Sequence, residues 1–139
     1  MTQGRNLAGA NLPQVDFRGQ DLMGADLSDA VLVQADMLAC DLSGANLRNA
    51  NLSGADLTDA DLSGACLVGA DLTRARLRGS NFSGADLTGA ILARTDLQDA
   101  NFRGAKIDAQ KIEISGARAW QRAKWDEPVL EVLKARFGS

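Results

Sequence analysis

From Leu7 to Ile112 every fifth residue carries a large apolar side chain, twenty-two positions without a break. The series opens Leu7, Leu12, Phe17, Leu22, is leucine at most later positions, and closes Leu97, Phe102, Ile107, Ile112. Two places before each stands a small residue, usually alanine, as at Ala25, Ala35, Ala45 and Ala105. Asp or Asn fills most of the places between them. A helix repeats every 3.6 residues and a strand every 2, so neither element can run along a chain of period five. The backbone must turn within every unit, and the last position of the unit supplies turn formers such as Gly9, Gly24, Gly44, Gly64 and Gly84.

At 139 residues the length corresponds to one domain. The chain has no histidine, which removes the commonest general base and metal ligand, and no Cys cluster has metal-binding spacing. No catalytic residue, metal or cofactor is therefore expected. Residues Met1 to Gly9 lack a basic stretch followed by an apolar run, so no secretory signal is expected, and no window is long and apolar enough to span a membrane. Cys40 takes an inward small-residue slot and Cys66 an outward one, so no disulfide is expected between them and a cytoplasmic location fits. Asn51-Leu52-Ser53 and Asn81-Phe82-Ser83 match a glycosylation triplet, but the repeat generates such triplets by itself.

The unit reads A-[D/N]-L-x-x, as in Ala45-Asn46-Leu47-Arg48-Asn49 and Ala55-Asp56-Leu57-Thr58-Asp59. It resembles the pentapeptide-repeat family over residues 5–114. The resemblance implies an all-β solenoid, a right-handed quadrilateral β-helix in which four units make one square coil and the large and small residues point inward. Twenty-two units give about five and a half coils. Folded at twenty residues, Gly24, Gly44, Gly64, Gly84 and Gly104 fall in one column. That column predicts type II turns, whose third residue needs positive φ. The corner of Gln14, Gln34, Gly54, Arg74 and Arg94 is expected to use turns without that demand.

Residues 115–139 form the second segment, read as a C-terminal α-helical cap. Ala117, Trp120, Ala123 and Lys124 have helical spacing, and Asp126-Glu127-Pro128 reads as a helix start. Val129, Leu130, Leu133 and Phe137 then make an apolar stripe ending at Gly138. Trp120 or Trp125 is expected to pack on the last coil; a helix that dimerises two columns is the rival reading. At the other end Met1 to Gly4 is too short to cover Leu7, Leu12 and Phe17, so a homodimer through one end of the column is expected. Three units depart from the pattern: Val31 and Ile91 replace the outward Asp/Asn, and Gln20 an inward alanine. Val31, Val33 and Leu38 lie close together on the outside.

Charge is the informative surface property. Arg5 to Asp71 holds ten Asp against three Arg, net −7, and Arg74 to Lys111 holds seven Arg or Lys against four Asp, net +3. The candidate interaction surface is Asp16, Asp36 and Asp56 on one face, Asp21, Asp41 and Asp61 on the next, and the basic cluster Arg74, Arg76 and Arg78. The sequence reads as a non-enzymatic scaffold that binds an unidentified protein partner, with no membrane contact and no direct nucleic-acid binding. The resemblance, to a family abundant in cyanobacteria, also implies an alternative: a DNA mimic that occupies DNA gyrase and confers quinolone resistance. Duplex DNA carries about one negative charge per 1.7 Å, and a column whose second half is basic copies that poorly.

Overall fold

The computed structural model describes residues 4–138. Met1 to Gln3, part of the stretch expected to be too short to cover Leu7, Leu12 and Phe17, lie outside the described residues. The chain winds into a square column whose rungs pair in parallel along four ladders. The first face carries Asn6, Asp26, Asn46, Cys66, Asp86 and Lys106, and the second Asn11, Val31, Asn51, Asp71, Ile91 and Glu113. The third carries Asp16, Asp36, Asp56, Arg76, Asp96 and Arg118, and the fourth Asp21, Asp41, Asp61, Asn81, Asn101 and Lys124.

One unit shows why the repeat has its residue types. In Ala45–Asn49, Ala45 N–H donates to the Leu42 carbonyl (3.0 Å), closing a β-turn. The amides of Asn46, Leu47 and Asn49 donate to Ala25, Cys66 and Val68 on the adjacent coils, at 2.8, 2.7 and 2.9 Å. That leaves the amide after the leucine with no backbone acceptor, and Asn46 Oδ1 accepts from it at 3.1 Å. The outward Asp or Asn therefore completes the accounting of backbone donors. A Ser or Thr in the following place adds its hydroxyl to the same carboxylate, as Thr58 does on Asp56 at 2.6 Å. Inside, the central residues from Leu22 to Leu97 and the alanines two places before them are buried almost completely.

Cys66, Val31 and Ile91 occupy that acceptor position without an acceptor. Replacing Cys66 with asparagine should restore the bond to the Val68 amide and raise stability by about 0.5–1 kcal/mol. The readout is the urea midpoint; an unchanged or lower midpoint would mean that solvent already serves that amide.

The corners differ from expectation. Gln14, Gln34, Arg74 and Arg94 have φ of 59, 57, 62 and 59°, the same left-handed geometry as Gly54 at 68°. The ladder imposes it: Gln34, Gly54, Arg74 and Arg94 each donate their amide to the coil above, at 2.8–2.9 Å. All the corners in a stack must therefore turn alike, and residues other than glycine carry a cost of roughly 1–2 kcal/mol each.

The C-terminal end differs too. Asp86 pairs with Lys106 twenty residues on, but Ile91 pairs with Glu113, Asp96 with Arg118 and Asn101 with Lys124. Two extra residues thus precede Glu113 and one more precedes Lys124. Pairing runs past residue 114, and each face has six rungs instead of the five and a half coils that the strict five-beat gives. Ile112 is buried in the small-residue slot, and Ile114 takes the central one. The stretch expected to be helical holds only a 3-10 turn, Trp120–Arg122. Trp125 fills the central slot of the last rung and stacks on Phe102 (4.4 Å, 7°), which stacks on Phe82 (4.8 Å, 9°).

One helix, α1 (Glu127–Phe137), then lies over the end. Its Leu133 is fully buried, Asp126 accepts from the Gly104 amide at 3.0 Å, and Arg136 donates to the carbonyls of Ala109 (2.7 Å) and Ile112 (3.0 Å). At the opposite end Leu7 and Leu12 are half-buried, while Phe17 is 6% exposed beneath the Arg5 guanidinium, 5.7 Å from its ring. Arg5 also donates to Gln20 at 3.2 Å. The Arg5 side chain thus lies over Phe17, which the N-terminal stretch was not expected to cover.

Candidate functional site

The outward residues of the third and fourth faces are the candidate site, and the parallel ladders place them. Asp16 pairs with Asp36 and Asp36 with Asp56; Asp21 pairs with Asp41 and Asp41 with Asp61. Each trio is therefore a line of carboxylates at about 4.8 Å intervals. The lines are not equivalent. On the third face Arg18 reaches Asp16 at 2.9 Å and Asp36 at 3.4 Å, and Arg76 lies 3.9 Å from Asp56. Hydrogen bonds from the Arg18 side chain and amide hold the Asp16 pKa below its ordinary value.

Among the described residues, Asp21, Asp41 and Asp61 make no ion pair. Their Oδ1 atoms accept from the Met23, Ser43 and Ser63 amides at 3.0, 3.0 and 2.9 Å, and their second oxygens accept no hydrogen bond among the described residues. Met23, 56% exposed, sits beside this ladder, and Leu38, 41% exposed, lies on the adjoining third face. Val31 and Val33 are only partly exposed on the second face, so the expected Val31, Val33 and Leu38 patch spans a corner.

Further up the third face the sign changes. Arg74, Arg76 and Arg78 come together, and Arg94 and Arg118 join them around a recess of about 400 Å³. Arg94 falls directly one coil beyond Arg74, so its place was readable in the sequence. Arg118 was missed, because it reaches this face only through the two-residue insertion. A second recess, about 300 Å³, opens beneath the insertion between Ile91 and Ile112.

Both cysteines are free; Cys40 is buried, and burial pushes its thiol up to about 11. No group of three or more potential metal-ligating side chains occurs among the described residues. Among the described residues no helix is long and apolar enough to cross a membrane.

A family model for pentapeptide repeats matches residues 6–37, 40–79 and 70–108, in 8 copies. The chain belongs to the pentapeptide-repeat family. Its structural neighbours are pentapeptide-repeat proteins, which form right-handed quadrilateral β-helices. One is a pentapeptide-repeat protein of the Arabidopsis thaliana thylakoid lumen, 34% identical, with a TM-score of 0.57 over 67% of this chain and 68% of that one. Another is QnrB1, a plasmid-mediated fluoroquinolone resistance protein, 17% identical, with a TM-score of 0.52 over 98% and 96%. HetL, involved in heterocyst differentiation regulation in the cyanobacterium Nostoc, is 31% identical with a TM-score of 0.44; the match covers 88% of this chain and 66% of that one. No curated protein matches the pentapeptide-repeat sequence significantly. At 17% identity the likeness to QnrB1 speaks for the shared column alone.

Proposed function

We propose that this protein is a non-enzymatic interaction scaffold whose fourth face, the Asp21, Asp41 and Asp61 ladder, docks a basic segment of a protein partner. The observation that carries this is how each carboxylate is used. One oxygen is committed to the turn amide two residues on, and the other, among the described residues, has no hydrogen bond or ion pair, in a row that the ladder sets. Such a row is preorganised for cations spaced along another chain, and Met23 adds an apolar contact beside it. Two free cysteines suit a reducing compartment such as the cytoplasm. The half-buried Leu7 and Leu12 make the first coil the end through which two copies would associate.

Asparagine fills the same ladder position at Asn81 and Asn101, so Asp→Asn at Asp21, Asp41 and Asp61 removes charge while keeping the turn acceptor. The triple variant should melt like the parent and lose the salt-sensitive partner recovered by pull-down from host lysate. Full recovery would remove the fourth face from the interaction. The protein should also leave gyrase supercoiling untouched, because Arg76 and Arg118 interrupt the acidic line of the third face. Inhibition at micromolar concentration would favour the DNA-mimic reading instead.

A further inference from the structure

We propose that the arginine recess on the third face is a binding site for a compact oligophosphate, recognised through its phosphates alone. Arg74 and Arg94 stand on adjacent rungs of one corner, Arg76 and Arg118 flank Asp96 on the ladder, and Arg78 lies two residues beyond Arg76. With rungs about 4.8 Å apart, the five guanidinium groups start from an area roughly 10 Å high.

These cations are not consumed by the fold. Among the described residues Arg74, Arg78, Arg94 and Arg118 make no ion pair, and Arg76 has only the 3.9 Å contact with Asp56. No side-chain hydrogen bond from the five is formed among the described residues either, and each guanidinium offers a fork of five N–H groups shaped for phosphate oxygens. Asp96 is the single carboxylate lining the recess, and its Oδ1 already accepts from the Gln98 amide at 3.2 Å. Arg74 and Arg94 also sit at positive φ, where Gly54 and Gly116 occupy the same corner. Arginine there carries backbone strain that glycine would relieve.

Size and chemistry of the occupant follow from the surroundings. Below the recess the same face continues as Asp56, Asp36 and Asp16, which repel any polyanion long enough to reach them. Above Arg118 the column ends under α1. A duplex is therefore disfavoured and a short anion fits. Arginine is the dominant lining residue and no aromatic ring contributes, so a nucleobase would find nothing to stack on. The amides of Arg74 and Arg94 are committed to the next coil, so this corner offers no free amide donor to the carbonyls of a peptide.

Isothermal titration calorimetry on the full chain at low salt tests this with inorganic tripolyphosphate, ATP and orthophosphate. Tripolyphosphate and ATP should bind within about threefold of each other, and orthophosphate at least about tenfold more weakly, as charge-assisted contacts add. Arg74→Gly with Arg94→Gly should weaken tripolyphosphate at least about tenfold while melting no lower than the parent, since glycine suits both positions. Absence of tripolyphosphate binding at millimolar concentration, or unchanged binding by the glycine variant, would overturn the proposal. So would much tighter binding of ATP, of a duplex DNA or of a glutamate-rich peptide. None of these outcomes bears on the fourth face, so the scaffold reading stands or falls separately.

Discussion

Leu57→Ala should lower stability by about 2.7–5 kcal/mol, while the same change at Leu7 should cost less than about 1.5 kcal/mol. Both leucines hold the central slot of a unit, but their neighbours differ. Leu57 is fully buried, with Met37 below it and Leu77 above it on the third face, so its loss leaves a cavity shared by two coil interfaces. Leu7 is half-buried on the first coil and has a partner on one side. In a stack whose coils touch only their neighbours, an internal defect weakens two interfaces and a terminal one weakens one. Urea denaturation followed by far-ultraviolet circular dichroism gives both values. Equal losses would mean that the first coil is packed as tightly as the third, and would leave no reason to expect association through that end.

The parts of this fold that were readable from sequence are those where one residue type does one job. Leucine and alanine mark the interior because one slot takes a large apolar side chain and the other, in most units, a small one, and Asp or Asn marks the unit because one turn amide needs an acceptor. The corners were misread for the opposite reason. Gln34 and Arg94 have no intrinsic preference for positive φ, and their conformation comes from amides that must meet the next coil. Side-chain identity carries no trace of a constraint imposed from a neighbouring rung.

The last coil was hidden by coincidence. Ile112 keeps the five-residue beat, yet it sits two places before Ile114, where alanine stands in other units. An insertion that happens to preserve apparent phase cannot be detected from periodicity, so the pairing of Arg118 and Lys124 was lost with it. The same slip concealed one of the five arginines of the recess. The acidic ladders suffered no such loss, because every rung from Asp16 to Asp61 keeps the strict spacing.

Trp125→Ala separates the two readings of the C-terminal segment, cap or dimerisation helix, by the sign of its effect on molecular mass. Trp125 is 6% exposed, continues the Phe82 and Phe102 stack, and donates its indole N–H to the Trp120 carbonyl at 2.8 Å. Truncation should cost about 3–5 kcal/mol locally, since an aromatic lid is replaced by a void against Phe102. With its footing gone, α1 should detach and expose Phe102, Ile112 and Ile114, which are only 1, 5 and 2% exposed in the native chain. An uncovered solenoid end is sticky, so light scattering after gel filtration should show mass rising in the variant. A helix that joined two columns would give the reverse, a fall to monomer on the same substitution. Phe137→Ala supplies the contrast: its ring is 36% exposed and meets Trp120 only edge-on at 6.4 Å, so mass and melting temperature should barely change. Were Phe137→Ala to disrupt the end as severely as Trp125→Ala, the outer surface of α1 rather than the aromatic stack would be what closes the column.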